Sequence, residues 1–327
     1  MAVTIALAGD TMLGRGVGER LAADPAHPLL APEVAEVAAA ADLFVLNLEC
    51  CISQRGERVR EPGKPFFFRA PPVAAERLAA LGVTCATLAN NHALDYGPVA
   101  LRDTLARLRA VGVAAVGAGL DEGAARTPVV VEGGGVRVRV VSVTDHPSSY
   151  AAGADRPGIA YADLLHGLPD WLHAAAAPGP DADVVLVAPH WGPNMRGAPV
   201  AHVRRAAAAL EAAGATLIAG HSAHVPQGVR GRTLFDLGDF VDDYAVDRMM
   251  RNDLGLLWLV ALDAGEPARI EAVPLRLRFA HTQRASDVEA TLLLALLEER
   301  CEAVGSSVRR DGDRFVFEAG SAGTPPA

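Results

Sequence analysis

The sequence predicts an α/β fold built on two stacked sheets of mixed strand direction. Short apolar, β-branched runs alternate with Ala-, Leu- and Arg-rich segments of helical spacing, which is the α/β pattern. Two apolar runs are split by glycine as hairpins are, 128–143 at Gly133-Gly134-Gly135 and 225–235 at Gly231, so one all-parallel Rossmann sheet is not expected. Ligand-type side chains also follow the apolar runs one after another, as they do at the carboxyl rim of such sheets.

The elements follow in order. Strands are expected at 3–8, 43–46, 83–88, 113–116, 136–143, 184–188, 216–219, 256–262 and 270–277, each a continuous apolar run of strand length. Helices are expected at 73–81, 99–110, 200–213 and 285–304, where Ala, Leu and Arg recur at helical spacing. The stretch 145–157 is rich in Pro, Ser, Ala and Gly and reads as a loop over a site, and 174–183 reads as a linker. One domain is expected over 1–319, with a core at 3–262, a strand and helix extension at 263–319, and a disordered tail at 320–327.

Composition narrows the function. Half of the 327 residues are hydrophobic, enough for a large core. Lys+Arg 30 against Asp+Glu 39 gives a net charge of −9 with no basic stretch, so no nucleic-acid partner is expected. Four cysteines, two of them adjacent, make no disulfide framework and read as reduced thiols. The chain opens on a strand-like run with no positive charge before Arg15, so no membrane anchor and a cytoplasmic location are expected. No Gly-rich phosphate loop opens a helix, and Gly14-x-Gly16-x-Gly18 has neither the Walker lysine nor the dinucleotide spacing.

The chemistry collects behind the strands. Gly9-Asp10, Asn47-Leu48-Glu49, Asn90-Asn91-His92, Pro189-His190-Trp191-Gly192 and Gly220-His221-Ser222-Ala223-His224 each follow an apolar run. Taken singly, Asp10 is an ordinary turn residue, Asn90-Asn91 suits a left-handed turn, and a histidine after a strand is commonly structural. Their joint placement predicts a rim of carboxylate, amide and imidazole without thiolate, suited to Mn²⁺, Fe or Zn²⁺, or to Ca²⁺ if few imidazoles are engaged. His146 is a further candidate, whereas His27, His166, His173, His202 and His281 read as structural.

These segments, together with Gly9-Asp10-Thr11-Met12-Leu13-Gly14-Arg15, Leu88-Ala89-Asn90-Asn91-His92-Ala93-Leu94-Asp95-Tyr96-Gly97, His190-Trp191-Gly192, Gly220 to Gly228 and Leu237-Gly238-Asp239-Phe240, resemble the CapA/PgsA family of poly-γ-glutamate capsule biosynthesis proteins. That family is similar in fold to the calcineurin-like metallophosphoesterases. The resemblance implies a four-layer α/β/β/α sandwich. It implies Asp10, Glu49, Asn91, His190, His221 and His224 as metal ligands and His92, with Asp95 beside it, as the proton-transferring residue. The phosphoesterase pattern has histidine where Met12 stands, and a thioether is a poor ligand for a hard cation, so the first metal position is short of a ligand.

Three readings of function follow. The first is a soluble metal-dependent enzyme acting by hydrolysis-type chemistry on a peptide or γ-glutamyl-type amide, since such a rim polarises a carbonyl and activates water. The second uses the same acid-base pairs to epimerise a peptide at Cα. The third is an accessory protein that binds an anionic polymer through Arg15, Arg55, Arg58, Arg60, Arg69 and Lys64, the only lysine of the chain. Arg15, Asn47, Lys64 and Arg69 are the residues expected to meet substrate.

Overall fold

The computed structural model describes residues 3–318, and the disordered tail expected at 320–327 lies outside the described residues. In a ten-stranded sheet, Val3–Thr11, Leu43–Leu48, Cys85–Thr87 and Ala114–Val116 run parallel. On the other side of the first strand, Leu254–Asp263, Glu266–Arg278 and the hairpin Ser307–Asp311 with Arg314–Glu318 continue the sheet antiparallel. In a six-stranded sheet, Val136–Thr144, Val184–His190, Leu217–Ala219 and Thr233–Leu234 run parallel, edged by the antiparallel strands Val129–Gly133 and Val229–Arg230. The glycine-split runs are hairpins as expected. Gly134 and Gly135 both have positive φ (58° and 79°), which a two-residue hairpin turn of this hand requires.

Three apolar clusters define four layers. Ile5, Leu7 and Val45 from the large sheet meet Val140, Leu186 and Leu217 from the small one, so the sheets pack face to face. The other face of the large sheet, including Ala6, Phe44 and Leu46, packs on Val17, Leu21, Leu78 and Leu101 of helices Arg15–Ala23, Val73–Ala80 and Gly97–Ala110. The outer face of the small sheet, including Val141, Val185 and Val187, packs on Leu172, Val203 and Leu210 of helices Asp170–Ala176 and Ala201–Ala213. The result is the α/β/β/α sandwich that the resemblance implied. Both faces of each central strand are covered, which is why these strands are continuously apolar rather than alternating.

Some elements escape the periodicity. Helices Arg15–Ala23, Pro32–Ala39 and Glu122–Arg126 were not expected, and the stretch 174–183, expected as a linker, starts inside helix Asp170–Ala176. Residues 263–318 extend the large sheet, and helix Asp287–Glu302, opened by a capping box of Ser286 and Glu289, sends Leu293 and Leu297 into the cluster between the sheets. All four cysteines are free and buried. Among the described residues no helix is long and apolar enough to cross a membrane.

Candidate metal centre

Strand pairing assembles the site. Asp10 is the penultimate residue of Val3–Thr11, and the register with the second strand shifts between Ala8 and Asp10, a bulge at Gly9 of the kind that re-aims a side chain. Gly9 lies against Gly238 so closely that a Cβ there would sit 1.7 Å from the Gly238 carbonyl oxygen. That contact seats the short strand Asp239–Val241 beside the first strand, with Asp239 opposite Asp10. Asn47 pairs with Asp10 on the other side. From the second sheet, His190 ends its strand and bridges in parallel to His221. Ser222 and His224 both hold positive φ (107° and 59°), so the loop presenting the two imidazoles is strained, as functional loops often are.

Five of the six expected ligands, Asp10, Glu49, His190, His221 and His224, lie together. Asp10 Oδ1 lies 3.5 Å from His221 Nδ1, Asp10 Oδ2 3.4 Å from His224 Nδ1, and Glu49 Oε1 3.8 Å from His190 Nε2. Two groups of three bring ligand atoms within 4.8 Å of one another, Asp10 with Glu49 and His190, and Asp10 with His224 and Asp239. Asp239 was not among the expected ligands. Its Oδ1 is 2.8 Å from His224 Nδ1, so a second carboxylate joins Asp10 in the group with His224. Met12 itself is buried among apolar side chains, its sulfur accepting the Gly14 N–H at 3.1 Å.

Burial and charge leave this centre unbalanced. Glu49 Oε1, Asn91 Oδ1, His221 Nδ1 and Asp239 Oδ2 are buried without a hydrogen-bond partner, a costly arrangement unless something binds them. Burial, with Asp10 adding repulsion, holds Glu49 well above the usual carboxylate range. Burial with Asp242 and Asp10 does the same to Asp239, and burial raises Asp242 to about 6. Burial also pushes the His92 and His221 imidazoles down to about 4. His224 shifts the other way: burial disfavours its charge, but Glu49 and Asp10 outweigh it. Crowded carboxylates whose charge is disfavoured, imidazole nitrogens and unpartnered polar atoms together fit a divalent cation.

Beside this set, His92 Nδ1 lies 2.6 Å from Asp95 Oδ2, and the ring stacks on Phe68 at 4.0 Å. Asp95 also accepts the Phe68 N–H at 2.7 Å and the Tyr150 hydroxyl at 3.3 Å, so the loop at 145–157 reaches this group. Lys64 Nζ lies 3.0 Å from Asp95 and donates to the Asn91 carbonyl at 2.6 Å. Lys64 therefore stands partly buried beside His92, where it ties two site segments together. Asn47, also expected at the substrate, is buried: its amide donates to Asp10 at 2.7 Å and its oxygen accepts from Thr87 and Asn90. It orients Asp10.

The expected basic patch is divided. Arg55 pairs with Asp103, and Arg15 with Asp243 at 2.5 Å. Arg69 stacks on Tyr96 at 4.1 Å and lines, with Arg58 and Arg15, a groove of about 510 Å³ that neither His92 nor His224 reaches. The ring of His146 is 5.2 Å from that of His190, and its Nδ1 lies 2.5 Å from Asp145. His202, expected to be merely structural, approaches Asp145 at 3.0 Å. Sequence reasoning also missed Tyr244, whose hydroxyl donates to Glu49 at 3.1 Å, and Arg300. Arg300 is buried in helix Asp287–Glu302 and donates to the carbonyls of Pro226 (2.7 Å) and Met250 (3.2 Å), bracing the chain just beyond His224.

A model of the family described as bacterial capsule synthesis protein PGA_cap matches residues 4–244. A "probable polyglutamine synthesis accessory protein" of Mycobacterium tuberculosis is 32% identical over 96% of this chain and 95% of its own. The PGA biosynthesis protein CapA of Bacillus subtilis is 29% identical over 72% of this chain and 62% of its own. Among solved structures, a hypothetical protein from Thermus thermophilus aligns with a TM-score of 0.49 at 15% identity, over 84% of this chain and 99% of that one. The match from the first strand to Tyr244, and the mycobacterial identity along nearly the whole chain, establish that this chain belongs to the bacterial capsule synthesis protein family PGA_cap.

Proposed function

We propose that the protein is a metal-dependent enzyme that acts by hydrolysis-type chemistry on a peptide or γ-glutamyl-type amide. The observation that carries this reading is the set of buried, unpartnered ligand atoms at Glu49, Asn91, His221 and Asp239, next to a cavity that His92 and His224 both line. The relatives' names, which concern polyglutamine synthesis and PGA biosynthesis, support a glutamyl-type substrate. Asp10 with Glu49 and His190, and Asp10 with His224 and Asp239, would hold the cation. When bound, it supplies Lewis acidity at a carbonyl and lowers the pKa of a coordinated water. Mn²⁺, Fe and Zn²⁺ suit three imidazoles among carboxylates better than Ca²⁺ does. His92 is then the proton carrier: Asp95 fixes its Nδ1, leaving Nε2 to serve the leaving nitrogen. The Tyr244 hydroxyl holds the Glu49 carboxylate in place.

Elemental analysis tests this directly. The wild type is expected to carry or take up a divalent metal, and His221→Ala and Asp239→Asn to lose much of it. Equal, stoichiometric metal in all three removes His221 and Asp239 from the site.

Stability gives a second readout with a definite sign. Glu49, Asp239 and Asp242 have raised values in the folded chain, so the stability they contribute is lost as pH rises through those values. His92 and His221, depressed to about 4, act in the opposite sense, but only below the unfolded histidine value of about 6.5. Above pH 6.5 the raised acids and His224, also raised, act in one direction, and stability falls as pH rises. The melting temperature of chelator-treated protein is therefore expected to fall as the pH rises above about 6.5, and that of metal-loaded protein to stay level. Parallel curves would show that the cation does not balance these acids.

The groove lined by Arg15, Arg58 and Arg69 favours a second reading, an accessory protein that holds an anionic polymer. In that case the double substitution Arg58→Glu, Arg69→Glu abolishes retention on immobilised poly-γ-glutamate. Unchanged retention, or none by the wild type, removes this reading.

A further inference from the structure

The cavity between His92 and His224 measures about 340 Å³, within the range of small-ligand sites. Its walls are unlike those expected of a polyanion site. Phe68 stacks on His92 at 4.0 Å and lies 5.8 Å from Tyr244, whose ring meets that of His224 at 5.4 Å, so one aromatic wall joins the two imidazoles. Phe66 stacks on Phe68 at the outer end and is 54% exposed, an apolar ring left at the mouth with surface still to bury. Met195 and Ala245 also line the space.

Among the described residues, the one Lys or Arg in this lining is already paired. Arg15 directs Nε and Nη2 at the Asp243 carboxylate, and its guanidinium sits about 5.5 Å from the rings of Phe66, Phe68 and Tyr244. Behind Tyr244 and His224 stand Glu49, Asp239 and Asp242. A glutamate carboxylate entering here would lose hydration among these rings and find the Arg15 guanidinium already paired. An aromatic ring needs only about 150 Å³ and would gain ring-to-ring contact.

We propose that this cavity selects a neutral, apolar side chain, aromatic or branched aliphatic, on the residue adjoining the amide bond that the metal centre acts on. The assignment rests on the reading of that centre as the reacting site. The substrate end that enters here is apolar. Any glutamyl carboxylates lie outside it, on the side of Arg58 and Arg69.

Ligand-observed NMR titration of the full chain decides the matter, with N-acetylphenylalanine amide and tri-γ-glutamate as probes, on chelator-treated and on Zn²⁺-treated protein. The aromatic amide is expected to bind at least about tenfold more tightly than the trimer, and Phe66→Asp to weaken it roughly tenfold. Phe66 is largely exposed, so this variant should fold as the wild type does, which circular dichroism verifies. Tighter or equal binding of tri-γ-glutamate, no binding of either probe, or an unchanged Phe66→Asp variant each overturns the proposal. Metal content after exposure to Mn²⁺, Fe²⁺ or Zn²⁺, measured separately, tests the metal-centre reading: failure to take up any of the three sinks the enzyme assignment, while amide binding to chelator-treated protein still reports on the cavity.

Discussion

Replacing His92 with asparagine is expected to lower turnover of a γ-glutamyl or peptide amide by about 10²- to 10⁴-fold, the usual contribution of a positioned acid or base. The imidazole is held on three sides, by Asp95 at Nδ1, by the Phe68 ring, and by Lys64 acting through Asp95 and the Asn91 carbonyl. It belongs to neither group of three candidate ligands. Metal content and melting temperature should therefore stay close to those of the wild type while released amine falls. Loss of metal would make His92 a ligand, and unchanged turnover would make it structural. Lys64→Met is expected to repeat the effect more weakly, because it removes support from the imidazole and leaves the imidazole itself in place.

Gly9→Ala should be more damaging still. A Cβ at this position would lie 1.7 Å from the Gly238 oxygen and 2.8 Å from its carbonyl carbon, both backbone atoms that cannot rotate away. The strand Asp239–Val241 would have to move, at a cost of about 3 kcal/mol, and Asp239 would move with it away from Asp10. We expect a marked drop in melting temperature together with loss of cation uptake. Gly123→Ala is the control: only the Asp121 side chain lies near, at 3.3 Å, and alanine suits a helix, so stability should be unchanged or slightly raised. If Gly9→Ala binds metal normally, the pairing of Asp10 with Asp239 is not what builds the centre.

The sheets and most residues of the candidate site were legible because buried parallel strands make continuous apolar runs, and polar side chains that end such runs stand out. Helix Arg15–Ala23 was hidden by Gly16 and Gly18, and Pro32–Ala39 by an alanine at its N-cap, although Pro32 at the first turn was an available signal. The terminal hairpin reads Ser-Val-Arg-Arg-Asp and Arg-Phe-Val-Phe-Glu, too charged and short for periodicity to mark. Asp239 escaped because its place beside Asp10 is a register between distant strands, a relation no local spacing encodes. One clue was present: Gly238-Asp239 repeats Gly9-Asp10 at the end of an apolar run, and aspartates recur every third residue at Asp236, Asp239 and Asp242. The partners that divide the arginines, Asp243 and Asp103 above all, are tertiary facts as well.

The brace from Arg300 sets a timetable as well as a geometry. It grips the Pro226 carbonyl from 74 positions further along the chain, and Gly228 lies so close to the Arg300 backbone that the loop and the last helix must settle together. During synthesis the ribosome delivers His221 and His224 long before this guanidinium emerges. The chain around Pro226 and Gly228 therefore takes up its final contacts only with the last helix in place. A fragment stopping at residue 244, where the family match ends, would lack this brace behind the histidine loop.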